Sequence, residues 1–343
     1  SSNPTVSTNP SAAGDRFINT TSGELFVCID ATAGENKWTG QLGTDVAPPT
    51  WDGGRGVFAG GTGYSDVIEY ITISTTGNTT DFGDLDTARH KGGGLSNGSR
   101  GVFGGGGRGA AATVNVIEYI TISTTGDATD FGDLTGPRDN TVPGVSNGTR
   151  GVFCGGRGTP SAGAKTNILD YITIATAGNA TDFGDSTVTG AEKAACNNDT
   201  RGVCGGGESP GGYVNVIDYF NIASVGDAQD FGDLTAARGS GPAGCSNGTI
   251  GLFGGGYEAP ANVDTIEFIE IASAGNSADF GDLTSDRDRL GAVSDRTKGV
   301  WGGGAQPSHE NTIDYVTISS AGNASDFGDL TAARSFLVGC AGD

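Results

Sequence analysis

One pattern of apolar and polar positions recurs six times along the chain, and each copy predicts the same set of short strands. Its clearest member is Val67-Ile-Glu-Tyr-Ile-Thr-Ile73, with counterparts centred on Tyr119, Tyr171, Tyr219, Phe268 and Tyr315. β-Branched residues dominate this segment, and an acid stands before each aromatic, as suits a partly covered strand. An Arg-Gly-aromatic-Gly-Gly unit precedes it: Arg55-Gly-Val-Phe-Ala-Gly-Gly61, Arg100–Gly106, Arg150–Gly156 and Arg201–Gly207. Looser copies run Ile250–Gly256 and Lys298–Gly304. After it comes Asp-Phe-Gly-Asp, whose aromatics are Phe82, Phe131, Phe183, Phe231, Phe280 and Phe327, about 49 residues apart. Five residues past the second Asp stands Arg89, Arg138, Arg238, Arg287 or Arg334, and in the third copy Gly190.

Each copy therefore reads as four strands. The first ends at Ser-Asn-Gly turns such as Asn97-Gly98, Asn147-Gly148 and Asn247-Gly248, where both turn positions favour φ > 0. Gly-Val-Phe forms the second strand, Ile-Glu-Tyr-Ile-Thr-Ile the third, and the Asp-Phe-Gly-Asp segment the fourth. No segment has a helical period. A four-stranded sheet this short cannot cover both faces by itself, and radial packing of six such sheets solves that problem. The expectation is an all-β, six-bladed propeller of four antiparallel strands per blade, with the glycine pairs allowing close backbone approach near the axis. The chain has seven candidate first strands. The last, Arg334-Ser-Phe-Leu-Val-Gly-Cys340, has no second strand after it, and Val46 to Trp51 is a poor copy. The C-terminal strand is therefore expected to close the ring on the first blade.

The order Arg238, Phe253-Gly254-Gly255, Glu267-Phe268, Phe280 resembles the kelch repeat. Adjacency of acid and aromatic, and Phe for the usual tryptophan, make it a divergent, kelch-like variant over residues 50–343. The resemblance implies architecture and leaves activity open.

Residues 1–15 have linker composition. Phe17-Ile-Asn, a Thr-Ser-Gly turn and Glu24–Ile29 predict a β-hairpin, with Trp38 close behind. The run Gly14–Cys28, continuing to Asn36-Lys-Trp38, is similar to a hairpin module of phage tail-fibre and other virion proteins. That resemblance implies an attachment module over 16–45, with the propeller in 46–343. A plain cap on the propeller fits the same residues.

Composition changes this picture in three places. Glycine fills 63 of 343 positions and hydrophobic residues only 35%; the fixed phase of those glycines marks a tightly turned β chain rather than low complexity. A net charge of −21 argues against nucleic acid or anionic lipid as partner. No apolar run reaches the roughly 20 residues of a membrane span. The chain contains no methionine, which points to a processed start or a fragment of a longer product.

Candidate chemistry is sparse. Cys196, Cys245 and Cys340 share a repeat position with Leu95, Val145 and Val293, and so read as small buried hydrophobes, as do Cys28, Cys154 and Cys204. The two histidines, His90 and His309, fall in different blades and suggest neither a metal site nor a Ser-His-Asp set. Asp-Phe-Gly recurs without any other kinase element, and no helix follows the glycine runs to bind phosphate. Calcium is the one ion with candidate ligands, at Asn179–Asp182 and Asp227–Asp230, but these acids are sparse for about six to eight oxygens, and turn capping is expected. Asn-x-Ser/Thr sequons mostly coincide with turns that need Asn. The expectation is thus no catalytic residue, no metal and no cofactor.

The loop between second and third strands varies from blade to blade, as recognition loops on a rigid scaffold do. Its ligand candidates are Arg108, Lys165, Tyr213, Tyr257 and His309. The expected function is non-enzymatic: a virion or extracellular-surface protein such as a phage tail-fibre, appendage or decoration component. It would assemble with proteins through residues 1–45 and reach a host glycan or receptor with its loops, without membrane insertion. A secreted carbohydrate-binding lectin or glycan-active propeller is the alternative.

Overall fold

Six four-stranded antiparallel sheets follow one another along the chain, each built from the repeated pattern. The structure is a computed structural model describing residues 11–20, 24–31, 37–40, 45–46, 54–108, 112–140, 143–158 and 164–342. It divides into two compact units, 1–51 and 52–343, and contains no helix among the described residues.

The larger unit is a six-bladed β-propeller. Blade two shows the plan: inner strand Gly93–Ser96, second Arg100–Gly104, third Val116–Thr121 and outer Thr129–Asp133. Blade one takes its inner strand from the far end of the chain. Val338–Gly342 pairs antiparallel with Arg55–Ala59, from Val338 opposite Ala59 to Gly342 opposite Arg55. The expected closure by the C-terminal strand is therefore present.

Alternation sets the packing. Along each third strand the second, third and fifth residues are buried, so the acid (Glu69, Glu118, Asp170, Asp218, Glu267 or Asp314) is enclosed with its aliphatic neighbours. The outer-strand Phe is buried in every blade and meets the third-strand aromatic edge-on, as in Tyr70–Phe82 at 5.9 Å. Such pairs add about 0.5–1.5 kcal/mol beyond the area they bury.

Neighbouring blades are joined by two ladders of cations. In the first, the arginine after each Asp-Phe-Gly-Asp element docks on the next blade's third-strand acid: Arg89–Glu118, Arg138–Asp170, Arg238–Glu267, Arg287–Asp314 and Arg334–Glu69. The third copy has Gly190 there, and Lys193, three residues on, supplies the cation to Asp218 at 3.3 Å. A threonine completes most of these junctions; Thr235 donates both its N–H and its hydroxyl to Glu267. At the blade one–two junction Asp86 stands in the threonine's place. There Arg89 stands 3.1 Å from Glu118, and burial, with the Asp86 charge adding to it, pushes the Glu118 carboxyl up against the pull of Arg89.

The second ladder lies on the opposite face. Arg55, Arg100, Arg150, Arg201 and Lys298 each cover the third-strand Tyr of their own blade, at 4.1–5.0 Å from the ring centre. Each also donates to a backbone carbonyl of the next blade, as Arg100 does to Ile174 at 2.8 Å. Ile250 leaves the fifth blade without this rung.

Two observations revise the expected role of the glycines. The Gly-Gly pairs do not line the axis; both members have positive φ, as at Gly60 (68°) and Gly61 (119°), and turn the chain out of the second strand. Close approach near the axis belongs to single inner-strand glycines. A Cβ on Gly94 would stand 2.4 Å from the Gly339 carbonyl oxygen, and one on Gly339 would stand 2.2 Å from that of Ala292. Next to these contacts, side chains bond around the axis: Ser146 to the Ser96 carbonyl, Asn197 to Ser146, Ser246 to Asn197, and Ser294 to Ser246.

In the smaller unit the predicted hairpin, Arg16–Ile18 with Leu25–Asp30, is extended by Lys37–Gly40 and Asp45–Val46 into a four-stranded sheet. Its core is Phe26, Cys28 and Trp38, with Phe17 edge-on to Trp38 at 6.1 Å. Ile18 and Ile29 are each 59% exposed. Residues 1–10 of the expected linker, and 47–51 of the poor first-strand copy, lie outside the described residues.

Candidate functional site

The variable loops carry small two-stranded ribbons in blades two to six, all on one face: Gly107–Arg108 with Ala112–Thr113, Arg157–Gly158 with Ala164–Lys165, Glu208–Ser209 with Gly212–Tyr213, Tyr257–Glu258 with Ala261–Asn262, and Ala305–Gln306 with Ser308–His309. Each ribbon forms a bridge to the segment entering the inner strand of its blade, such as His90 with Gly107.

All five predicted ligand residues stand on these ribbons, and each reaches toward a neighbouring segment. Arg108 donates to the Thr87 hydroxyl. Lys165 holds the Ser209 carbonyl at 2.7 Å and Glu208 at 3.0 Å, and Arg157 holds Glu208 at 2.7 Å. Tyr213 and Tyr257 come together, with ring centres 5.5 Å apart and the Tyr213 hydroxyl 3.3 Å from Ser240. His309 Nδ1 is 3.2 Å from the Ser335 hydroxyl. The face brings Tyr213 and Tyr257 into one pair and leaves Arg108, Lys165 and His309 on separate blades.

Sequence reasoning missed a second set, two residues beyond the junction arginine: Lys91, Asn140, Glu192, Ser240, Arg289 and Phe336. All six have left-handed φ, between 53° and 70°. Four successive pairs are hydrogen-bonded through the backbone: Phe336 N–H to Arg289, Lys91 to Phe336, Glu192 to Asn140, and Arg289 to Ser240. With one such position per blade the six encircle the axis on the ribbon face, Ser240 through Lys91 joined in one run and Asn140 to Glu192 in another. Just beyond it the starts of the inner strands line a cavity of about 90 Å³, from Gly92 to Gly339. The signal was present in the sequence as the one phase near the junction where every copy differs.

The ring is chemically divided. Phe336 lies between two cations, with Lys91 Nζ 4.7 Å and the Arg289 guanidinium 5.0 Å from its ring centre. Across from them Asn140, Glu192 and Ser240 are buried, and Asn140 Oδ1 has no hydrogen-bond partner among the described residues. Every propeller lysine or arginine outside the two ladders, apart from Arg296, is on this face: Lys91, Arg108, Arg157, Lys165 and Arg289.

Burial displaces several titrations here. It lowers His90 to about 4, with Lys91 adding to the effect, and raises Asp139 and Glu192. Asp288 is pushed up to about 6, chiefly by burial and against the pull of Arg289 at 3.3 Å. A carboxyl whose folded value exceeds its unfolded one favours the fold most when protonated. Its contribution is therefore lost as pH rises from about 4 through about 6. Asp288→Asn should lose less stability than the parent between pH 4 and pH 7 in urea titrations; parallel losses would contradict this.

Two of the oxygens considered for calcium bind backbone instead. Asn179 Oδ1 accepts the Asp133 N–H at 3.1 Å, and Asp227 Oδ1 the Asp185 N–H at 3.0 Å, which ties adjacent blades. Among the described residues no three of His, Cys, Asp and Glu gather as metal ligands. Cys154, Cys196, Cys204, Cys245 and Cys340 are buried thiols, and desolvation pushes Cys245 and Cys340 well up. No protein-family model and no curated protein matches the chain.

Proposed function

We propose that this chain is a non-enzymatic structural and binding component of a virion or surface appendage, with divergent kelch-like blades. The small N-terminal unit attaches it, and the ribbon face of the propeller makes the contacts that matter to a host or a neighbouring subunit. One observation carries this reading: the side chains that recur in every blade are spent on holding blades together. The repeated arginines, third-strand acids and turn asparagines all have partners in the fold, so a catalytic set would have to come from residues that vary. Those gather at the ribbons and the axial ring, which suits recognition on a rigid scaffold. Exposed Ile18 and Ile29 on the small sheet fit an attachment surface.

Fractionating native particles with an antibody against this chain tests the reading. The full chain should travel with particles or surface appendages, and removing residues 16–45 should release the propeller. A free monomer that binds neither particles nor cells would overturn it.

A further inference from the structure

The axial ring holds side chains where the backbone asks for glycine. A left-handed conformation costs a non-glycine residue roughly 1–2 kcal/mol. Elsewhere this chain meets that demand with glycine: both members of each Gly-Gly pair and the turn positions Gly98, Gly148 and Gly248 have positive φ. Apart from Tyr64, the non-glycine exceptions among the described residues are the six ring positions. The same ring position holds Lys, Asn, Glu, Ser, Arg and Phe in turn, while the junction two residues earlier is nearly invariant. Fold-building would give one repeated residue, or glycine. Six different side chains on strained backbone point to a ligand.

The two halves of the ring state what that ligand must offer. On one side Lys91 and Arg289 flank Phe336; Arg289 pairs with Asp288 at 3.3 Å, and Lys91, whose charge acts on Asp139 and Glu192, forms no ion pair among the described residues. That side asks for an anionic group, and for an apolar ring edge against the aromatic. On the other side Asn140, only 2% exposed, keeps Oδ1 unpartnered, and Glu192, 9% exposed, makes no ion pair among the described residues. Ser240, whose hydroxyl lies 3.3 Å from that of Tyr213, is the third polar position of that side. That side asks for donors, and three adjacent polar positions suit a row of hydroxyls better than one ammonium. A buried acceptor left unmade costs about 1–3 kcal/mol, so a donor has much to contribute there.

We infer that the axial ring of Lys91, Asn140, Glu192, Ser240, Arg289 and Phe336 binds an acidic saccharide residue. Its carboxylate lies at Lys91 and Arg289, and its hydroxyls meet Asn140, Glu192 and Ser240. The inference rests on the ribbon face being a recognition surface and adds the class of ligand.

Glycine at a ring position removes the side chain and relieves the backbone, so Lys91→Gly and Asn140→Gly should fold as the parent does. Calorimetric titration of the full chain would use glucuronate, galacturonate and N-acetylneuraminate, with glucose as the neutral isostere and acetate as the bare carboxylate. At least one acidic sugar should bind, with glucose and acetate at least tenfold weaker. Lys91→Gly should erase the preference for the acidic sugar over glucose, and Asn140→Gly should weaken the acidic sugar at least tenfold. Silence from all three acidic sugars, equal binding of glucose or acetate, or unchanged affinity in both variants would overturn the inference. Particle fractionation is read separately, so the attachment reading and the ligand can fail independently.

Discussion

Removal of residues 335–343 is expected to abolish cooperative folding. The lost segment contains the whole inner strand of blade one, which matches Arg55–Ala59 residue for residue. With it go Leu337, Val338 and Cys340, all buried in the clusters that fill the spaces beside blade one. Burying an aliphatic side chain of this size is worth about 1.5–3 kcal/mol. The deletion also exposes the Phe58 and Phe103 surroundings, removes the acceptor for Ser96 at Ala341, and opens the ring where its last strand meets its first. A domain stable by about 5–15 kcal/mol does not survive that sum. Circular dichroism should show no sigmoidal melt for the truncated chain, whereas an unchanged melting curve would mean that the ring closes some other way.

The second large effect belongs to the first cation ladder. Arg287 is fully buried, donates to the Gly303 and Thr312 carbonyls at 2.8 Å each, and pairs with Asp314. Burial lowers the Arg287 value, against the pull of the Asp314 charge. Arg287→Ala strands the Asp314 carboxylate in the interior with Thr284 as its remaining partner. Breaking one side of such a pair costs about 3–5 kcal/mol, most of it the uncompensated charge. Replacing both members by leucine removes that charge and should recover much of the loss. Urea unfolding of the single and double variants checks this. A double variant no better than Arg287→Ala would show that packing of the guanidinium, rather than charge pairing, secures the junction.

The fold was legible because its signals are local and repeated. Asn-Gly turns, the alternation in Val67–Ile73 and the phase of Phe82 and its counterparts each fix a strand or its end, and six copies multiply a weak signal. Closure was legible for a different reason, since Arg334–Cys340 is a first strand with no second strand after it. What escaped was positional. The Gly-Gly pairs look like axial packing until their φ values show a turn. Lys193 looks like an ordinary lysine until Gly190 leaves Asp218 in need of a cation, and sequence spacing gives no sign that a residue three places on can reach it. The ribbon residues Arg108 and Lys165 were visible as variable, yet their contacts with Thr87, Ser209 and Glu208 depend on a neighbouring segment that only the assembled ring brings near. The axial ring has the same origin: six residues about one repeat apart become neighbours through closure alone.

Residues repeated from blade to blade hold the propeller together, and the proposed recognition role falls to those that differ at the axial ring. Arg89 and Lys91 stand two positions apart and fall on opposite sides of that division. The melting temperatures of Arg89→Ala and Lys91→Gly, measured on the full chain, test it most directly. Arg89→Ala should melt several degrees below the parent, and Lys91→Gly at or above it. Equal falls in the two variants would contradict it.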